Sequence, residues 1–308
     1  MKKLFALLQL LRPANTLTAI ADIWAGIAIS GALAGIAVSG GLADIVHDAT
    51  IRAIILKVFL LTFSTIGLYS GGTVLNDYFD ADLNRFSRPE MPLSSGLITR
   101  KTALILGLFL VLMGMVLAFF VGIVSGFISM VVAFLVIFYN VYGKYNSVTG
   151  PLSMGLCRGA NLLLGISFIP QAIGFNFIVI LIPIVFIAAI TSLSRYETQG
   201  GNRLGIQLAG WLYFLVICYL ITMSVLNNRF FQTIPFVGVL FYLSFKPITI
   251  AFRLPTLKNV EKAVRWGILS LVVMNAALAA AFSGFIPGII ILTLLPVSFY
   301  LSRHFSLT

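Results

Sequence analysis

The chain is 308 residues long, 60% hydrophobic and only 9% charged, with a formal net charge of +11 and a mean hydropathy of +1.07. Ordinary soluble domains are roughly half apolar and about a quarter charged, so this balance excludes a soluble globular protein. The apolar runs are continuous rather than alternating, which excludes a β-barrel and predicts an all-α, polytopic membrane helical bundle.

Residues 1–12 carry a basic start but no small-residue cleavage site, and Arg12-Pro13 interrupts the apolar stretch. They read as a short amphipathic helix leading into the first span, not as a signal peptide. A spanning helix needs about 20 apolar residues. The sequence predicts nine, near 14–37, 53–76, 102–122, 126–142, 152–170, 177–195, 205–226, 231–247 and 264–283. The shorter run 286–301 is either a tenth span or a helix lying in the interface. Gly31 and Gly35 form a small-xxx-small step suited to close helix packing. With the N-terminus inside, nearly all Lys and Arg fall on the inner side, and the outer side holds only Arg52, Lys57 and Arg229. The positive-inside rule therefore places the N-terminus and both polar loops, 77–101 and 196–204, on the cytoplasmic side. The positive charge is a topology signal and an attraction to anionic membrane lipid, so nucleic acid is not an expected partner.

Arg12-Pro13-Ala14-Asn15 opens the first span and Arg158-Gly159-Ala160-Asn161 the fifth. The shared Arg-x-Ala-Asn suggests two pseudo-repeated halves, roughly 1–142 and 143–308, within one domain spanning 1–308. Asn15 and Asn161 would then face a central cavity between the halves. Asp22, inside the first span, either faces the cavity or pairs with an inner-side polar group, the cavity being the favoured reading.

The most informative stretch comes after the second span: Leu75-Asn76-Asp77-Tyr78-Phe79-Asp80-Ala81-Asp82-Leu83-Asn84-Arg85. Acids at a bilayer edge are costly and mark function. If the second span continues helically, Asp77, Asp80 and Asn84 fall within about 60° of one another. Asp82 points elsewhere. Two carboxylates and an amide on one helical edge suit Mg²⁺, completed by water and a substrate phosphate. Asn76 is a natural partner for a phosphate or a ligand carboxylate. Arg88-Pro89-Glu90-Met91-Pro92-Leu93-Ser94-Ser95-Gly96 then prescribes an ordered loop. Thr99 is placed to cap the third span, and Arg85, Arg88, Arg100 and Lys101 surround the acids, the arginines with forks suited to phosphate.

Asn-Asp-x-x-Asp followed by Arg-Pro-Glu-x-Pro-Leu-x-Ser-Gly, on a nine-span chain that begins with Arg-Pro-x-Asn, resembles the UbiA superfamily of intramembrane prenyltransferases. Lys144 matches a lysine that this family places after its fourth span, near the diphosphate. The resemblance implies a helical bundle around a cavity open to lipid. In it, Mg²⁺ bound by two Asp-rich motifs holds a prenyl diphosphate, whose isoprenyl group passes to a lipophilic acceptor. Asp77 and Asp80 are the implied metal ligands, with Asn76 and Asn84 assisting and Asp82 in reserve. Arg88, Lys144, Arg158 and Arg195 are expected to contact substrate, and Asn15 and Asn161 to line the cavity.

The chain departs from the family pattern in three places. Asn84 stands where a third aspartate is usual, and Met91 where an arginine is usual. At the second motif, Ser194-Arg195-Tyr196-Glu197-Thr198-Gln199-Gly200-Gly201-Asn202-Arg203 keeps a single carboxylate, Glu197, with Arg203 as its partner in a reduced cluster. That string is similar to the EboC-like branch of the superfamily, found with secondary-metabolite export clusters. The setting implied is a bacterial inner membrane or a plastid membrane. The stripped motif keeps a second reading open: a non-catalytic relative that binds or helps export an isoprenoid or polyphenolic precursor.

Overall fold

The computed structural model describes residues 2–32, 49–89, 91–146, 148–197 and 203–304. Among these, all regular structure is helical. Among the described residues, nine helical stretches are long and apolar enough to cross a membrane. Large apolar side chains such as Phe109, Leu112, Phe120 and Phe134 stand exposed on them, as expected of surfaces that lipid covers.

Helix α1 (Lys2–Leu11) lays Ala6 and Leu10 against the bundle and leaves Leu4, Phe5 and Leu8 outside. Arg12 breaks it with φ +46, a left-handed conformation unusual for a side chain with a Cβ, and α2 (Pro13–Ile29) starts at the proline. The helical run ends at Gly31, whose φ of +84 needs glycine; among the described residues nothing would meet a Cβ there. Gly31 therefore terminates the helix, and no described neighbour packs on it. Gly35 lies outside the described residues.

The close packing of α2 is made one turn earlier. Gly26 meets Gly165 of α7 (Thr149–Ile166), and a methyl at either would strike the facing backbone. A second glycine seam joins α3 (Ala49–Phe79) to α5 (Arg100–Val121) through Gly67, Gly71, Gly107 and Gly114. Thr99 caps α5 by accepting from the Thr102 amide at 3.2 Å, as the sequence predicts.

Helix α4 (Ala81–Ser87) follows α3 across a turn at Asp80. Helix α6 (Ile123–Val141) returns the chain to the level of Lys144, and α7 carries it away again. Helix α7 falls below the apolarity of a spanning helix, since it holds Arg158, Asn161 and several glycines. It nevertheless crosses, because Lys144 before it meets Asn76 and Ser167 after it meets Ser125 at the start of α6. The fifth crossing opens at Thr149, so Arg158 sits in mid-helix. The two Arg-x-Ala-Asn copies therefore occupy different depths in their helices.

The second half runs through the short α8 (Ala172–Asn176), α9 (Leu181–Glu197), α10 (Arg203–Leu226), α11 (Phe230–Arg253) and α12 (Leu257–Ser283). Helix α12 is the centre of the bundle: 78% of its apolar window is buried, against 28% for α5. The segment Phe285–Ser302, in α13 (Phe285–Leu292) and α14 (Leu294–His304), starts where Phe285 meets Phe236 and ends where Ser298 donates to the Ala14 carbonyl. It traverses the bundle and is a crossing, not an interfacial helix.

Candidate functional site

Two cations and two carboxylates meet where the start of α2 and the ends of α3 and α6 come together. Asp77 is buried on the last turn of α3, and its Oδ1 accepts from Arg12 Nη2 at 2.9 Å. The left-handed turn at Arg12 aims that guanidinium at α3, so the strained residue is also a site residue. Asp80, at the turn, takes Lys144 Nζ at 2.6 Å on Oδ1. The same ammonium donates to Asn76 Oδ1 at 3.1 Å. Tyr145 donates to Asp80 Oδ1 at 3.5 Å. Slight burial, then the adjacent Asp80 charge, pushes the Tyr145 phenol above its ordinary pKa, so it stays a donor at neutral pH.

Asp82 lies apart. Its side chain is 81% exposed and pairs with Arg100 at 3.0 Å, while the guanidinium of Arg100 also covers the Tyr78 ring. Asn84 is half-buried one turn beyond Asp80, with its amide on the Asp80 carbonyl. Helix α3 stops at Phe79, so the face shared by Asp77 and Asp80 does not run unbroken to Asn84. Arg88 is exposed.

Behind this mouth lies a cavity of about 340 Å³. Arg12, Asn15, Asn76, Arg158 and Asn161 line it, with Tyr69 and Tyr139 among the larger walls. The structure thus brings Asn76, Asp77, Asp80, Lys144, Asn15, Arg158 and Asn161 around one cavity and its rim. Arg203 is not with them; it lies over the Phe252 ring on the outside. The side chains of Arg195 and Glu197 lie outside the described residues, as does the whole loop 198–202 between α9 and α10.

Sequence reasoning left out Arg12, Tyr145, Tyr69 and Tyr139 as site residues. For Arg12 the signal was present: an arginine before a proline, in the string that also supplied Asn15. Asp22 was expected on the cavity wall. It is fully buried behind it, paired with Arg158 at 3.1 Å, because a carboxylate this deep needs a counter-charge more than it needs a ligand.

Residues 28–251 match the UbiA prenyltransferase family. The chain belongs to that family. The digeranylgeranylglyceryl phosphate synthase of Methanococcoides burtonii is 36% identical over 34% of this chain and 38% of its own. That of Methanothrix thermoacetophila is 30% identical over 52% and 53%. The chain therefore spans between about two fifths and about half the length of these curated relatives. Among solved structures, a UbiA homologue from Archaeoglobus fulgidus bound to GPP and Mg²⁺ aligns with a TM-score of 0.55 at 14% identity, covering 89% of this chain and 99% of that one. That likeness is one of fold. The helical bundle and its multi-pass character are those of UbiA proteins.

Proposed function

We propose that this UbiA protein transfers an isoprenyl group from a prenyl diphosphate to a lipophilic acceptor within the membrane, with Mg²⁺ at Asp77 and Asp80. The observation that carries the proposal is the placement of two carboxylates, an amide and two cations on the rim of a cavity whose walls mix apolar and aromatic side chains with the buried polar groups Asn15, Arg158 and Asn161. Mg²⁺ favours oxygen ligands and is usually held by one or two carboxylates plus substrate phosphate. Asp77, Asp80 and the Asn76 carbonyl fit that demand for one ion. Among the described residues no site, this one included, gathers three acidic, His or Cys side chains, so the set is lean even for one ion. When bound, the ion would neutralise diphosphate charge and assist its departure.

Arg12 and Lys144 are placed to take up the rest of that charge. Transfer breaks the C1–O bond of the donor, and the electron pair leaves with the diphosphate. Tyr69 and Tyr139 line the cavity and are the aromatic groups nearest to hand for the allylic cation left behind. The acceptor nucleophile then supplies the pair for the new bond and loses a proton. The apolar walls keep water from capturing the cation. In this reading the N-terminus and the mouth face the cytoplasm, which the distribution of Lys and Arg supports.

The curated relatives carry the name digeranylgeranylglyceryl phosphate synthase, and the matched family is one of prenyltransferases. Both support the transferase reading. The finer placement in the EboC-like branch rests on the string at 194–203 alone. One observation favours the non-catalytic reading: Asp77 and Asp80 are each already neutralised by a cation of the chain itself.

Asp80→Ala is expected to abolish Mg²⁺-dependent binding of geranylgeranyl diphosphate, measured by calorimetry on purified protein. Full retention of that binding would remove Asp80 from the metal. Diphosphate release in the presence of Mg²⁺ and candidate acceptors separates the two readings. Silence together with tight lipid binding supports the carrier.

A further inference from the structure

A groove on the lipid-facing side of the second half shares no described residue with the cavity. It lies between α10 and α11 and holds about 600 Å³. Gly210 opens it: a Cβ there would meet no described atom within 4 Å. Trp211 and Phe214 of α10 and Phe245 of α11 form its walls. Trp211 is 67% exposed, so the groove faces the surface that lipid covers. Its assignment is independent of the transferase reading.

The chemistry of the groove is layered along the helices. Crossings alternate from α7 through α9, so α10 starts and α11 ends on the mouth side of the bundle. There the Arg203 guanidinium lies over the Phe252 ring at 5.6 Å, and Arg253 closes α11. One turn inward the groove is lined by Gln207 and Thr249, an amide and a hydroxyl, both exposed. Beyond them every described lining side chain is apolar or aromatic. The helix rise from Arg203 to Phe214 is about 16 Å. One leaflet of a bilayer's hydrocarbon core is about 15 Å deep. A glycerophospholipid has this same order and depth: a phosphate, then ester and glycerol oxygens, then an acyl chain.

Charge selects among lipids. Helices α10 and α11 contain no Asp or Glu. On the mouth side Arg203, Arg253, Lys258 and Lys262 stand against Glu197 and Glu261, so this end of the groove stays cationic even if Glu197 takes Arg203. Arginine forks suit phosphate oxygens, and basic residues at headgroup level attract anionic lipid. A second copy of this chain, laid across the groove by a two-fold axis, would bring the same arginines together.

We infer that this groove is a binding site for one anionic glycerophospholipid, with its phosphate at Arg203 and Arg253 and an acyl chain lying along Gly210.

The test titrates acyl-brominated phosphatidylglycerol, and separately acyl-brominated phosphatidylcholine, into the full chain in detergent and follows tryptophan fluorescence. Bromine quenches on contact, and a parallel titration of Trp211→Phe subtracts the two other tryptophans. Trp211 should be half-quenched at a phosphatidylglycerol mole fraction at least about tenfold below that for phosphatidylcholine. Gly210→Leu fills the groove, and its Cβ meets no described atom, so the fold should hold. It should raise the phosphatidylglycerol mole fraction to the phosphatidylcholine value or beyond. Arg203→Gln combined with Arg253→Gln should remove the preference and leave quenching by phosphatidylcholine as it was. Equal mole fractions for the two lipids in the parent chain overturn the assignment, as does unchanged phosphatidylglycerol quenching in Gly210→Leu or a preference that survives the arginine variant. A dimer in native mass spectrometry that Gly210→Leu dissociates overturns it too, because the groove would then hold a second copy.

Discussion

Two ion-pair clusters lie in this protein, and their surroundings give them opposite roles. At the mouth, Arg12–Asp77 and Lys144–Asp80 sit in partial contact with water, beside Asn76 and Tyr145. Deeper in, Asp22–Arg158 is enclosed, with Asn161, Asn275 and Thr18 supplying its remaining hydrogen bonds. The mouth pairs keep 7–18% of each side chain exposed, against 0–5% in the deep pair, so water compensates their partners more than it can the deep ones. The deep pair cannot open, because an uncompensated charge there has nothing to solvate it. Exchange of salt partners for a diphosphate and its metal therefore belongs at the mouth, and fixed positioning belongs at the inner wall.

The largest expected effect breaks the deep pair. Asp22→Ala leaves Arg158 charged and buried, and removing one partner of such a pair costs about 3–5 kcal/mol. The thermal midpoint of the purified protein in detergent should fall sharply. Asp80→Ala, at the mouth, should shift that midpoint far less while removing Mg²⁺-dependent diphosphate binding. Equal thermal losses in the two variants would erase the distinction between the clusters.

A second prediction concerns what holds the deep pair in register. Asp22 and Arg158 meet because α2 and α7 approach through Gly26 and Gly165. Gly26→Ala places a methyl against the Leu162 carbonyl, which is backbone and cannot swing aside. Overpacking of this kind costs about 1–3 kcal/mol. It should also weaken ligand binding at the inner wall, because the helices must part. An unchanged midpoint would show that the seam is looser than its geometry implies.

The two clusters were not equally legible in the sequence. The mouth was, because Asn76, Asp77 and Asp80 are neighbours in the chain and acids are rare in so apolar a protein. Helical periodicity placed Asp77 and Asp80 together, but not the break at Asp80 that separates them from Asn84. The deep cluster was legible only as isolated polar residues in apolar runs. Asp22 and Asn275 lie 253 residues apart, and no local pattern pairs them. The crossings showed the same limit. Hydropathy anticipated α7 but set its start too late, since the glycines and Arg158 dilute the apolar run. It left 286–301 undecided, because whether a short apolar helix spans depends on what it packs against, here α2 through Ser298 and Ala14.

The smallest expected effect sharpens the boundary of the mouth cluster. Asp82 belongs to the same acidic run as Asp77 and Asp80, yet it faces solvent and pairs with Arg100. An exposed pair of this kind contributes about 0–1 kcal/mol and weakens with salt. Asp82→Asn should therefore leave the thermal midpoint nearly unchanged, and Mg²⁺-dependent binding of geranylgeranyl diphosphate should stay within about twofold of the parent, or about 0.4 kcal/mol. A tenfold loss would mean that α4 swings inward when the diphosphate binds and carries Asp82 to the metal. The oxygen set would then comprise three carboxylates instead of two, and the turn at Asp80 would be its hinge.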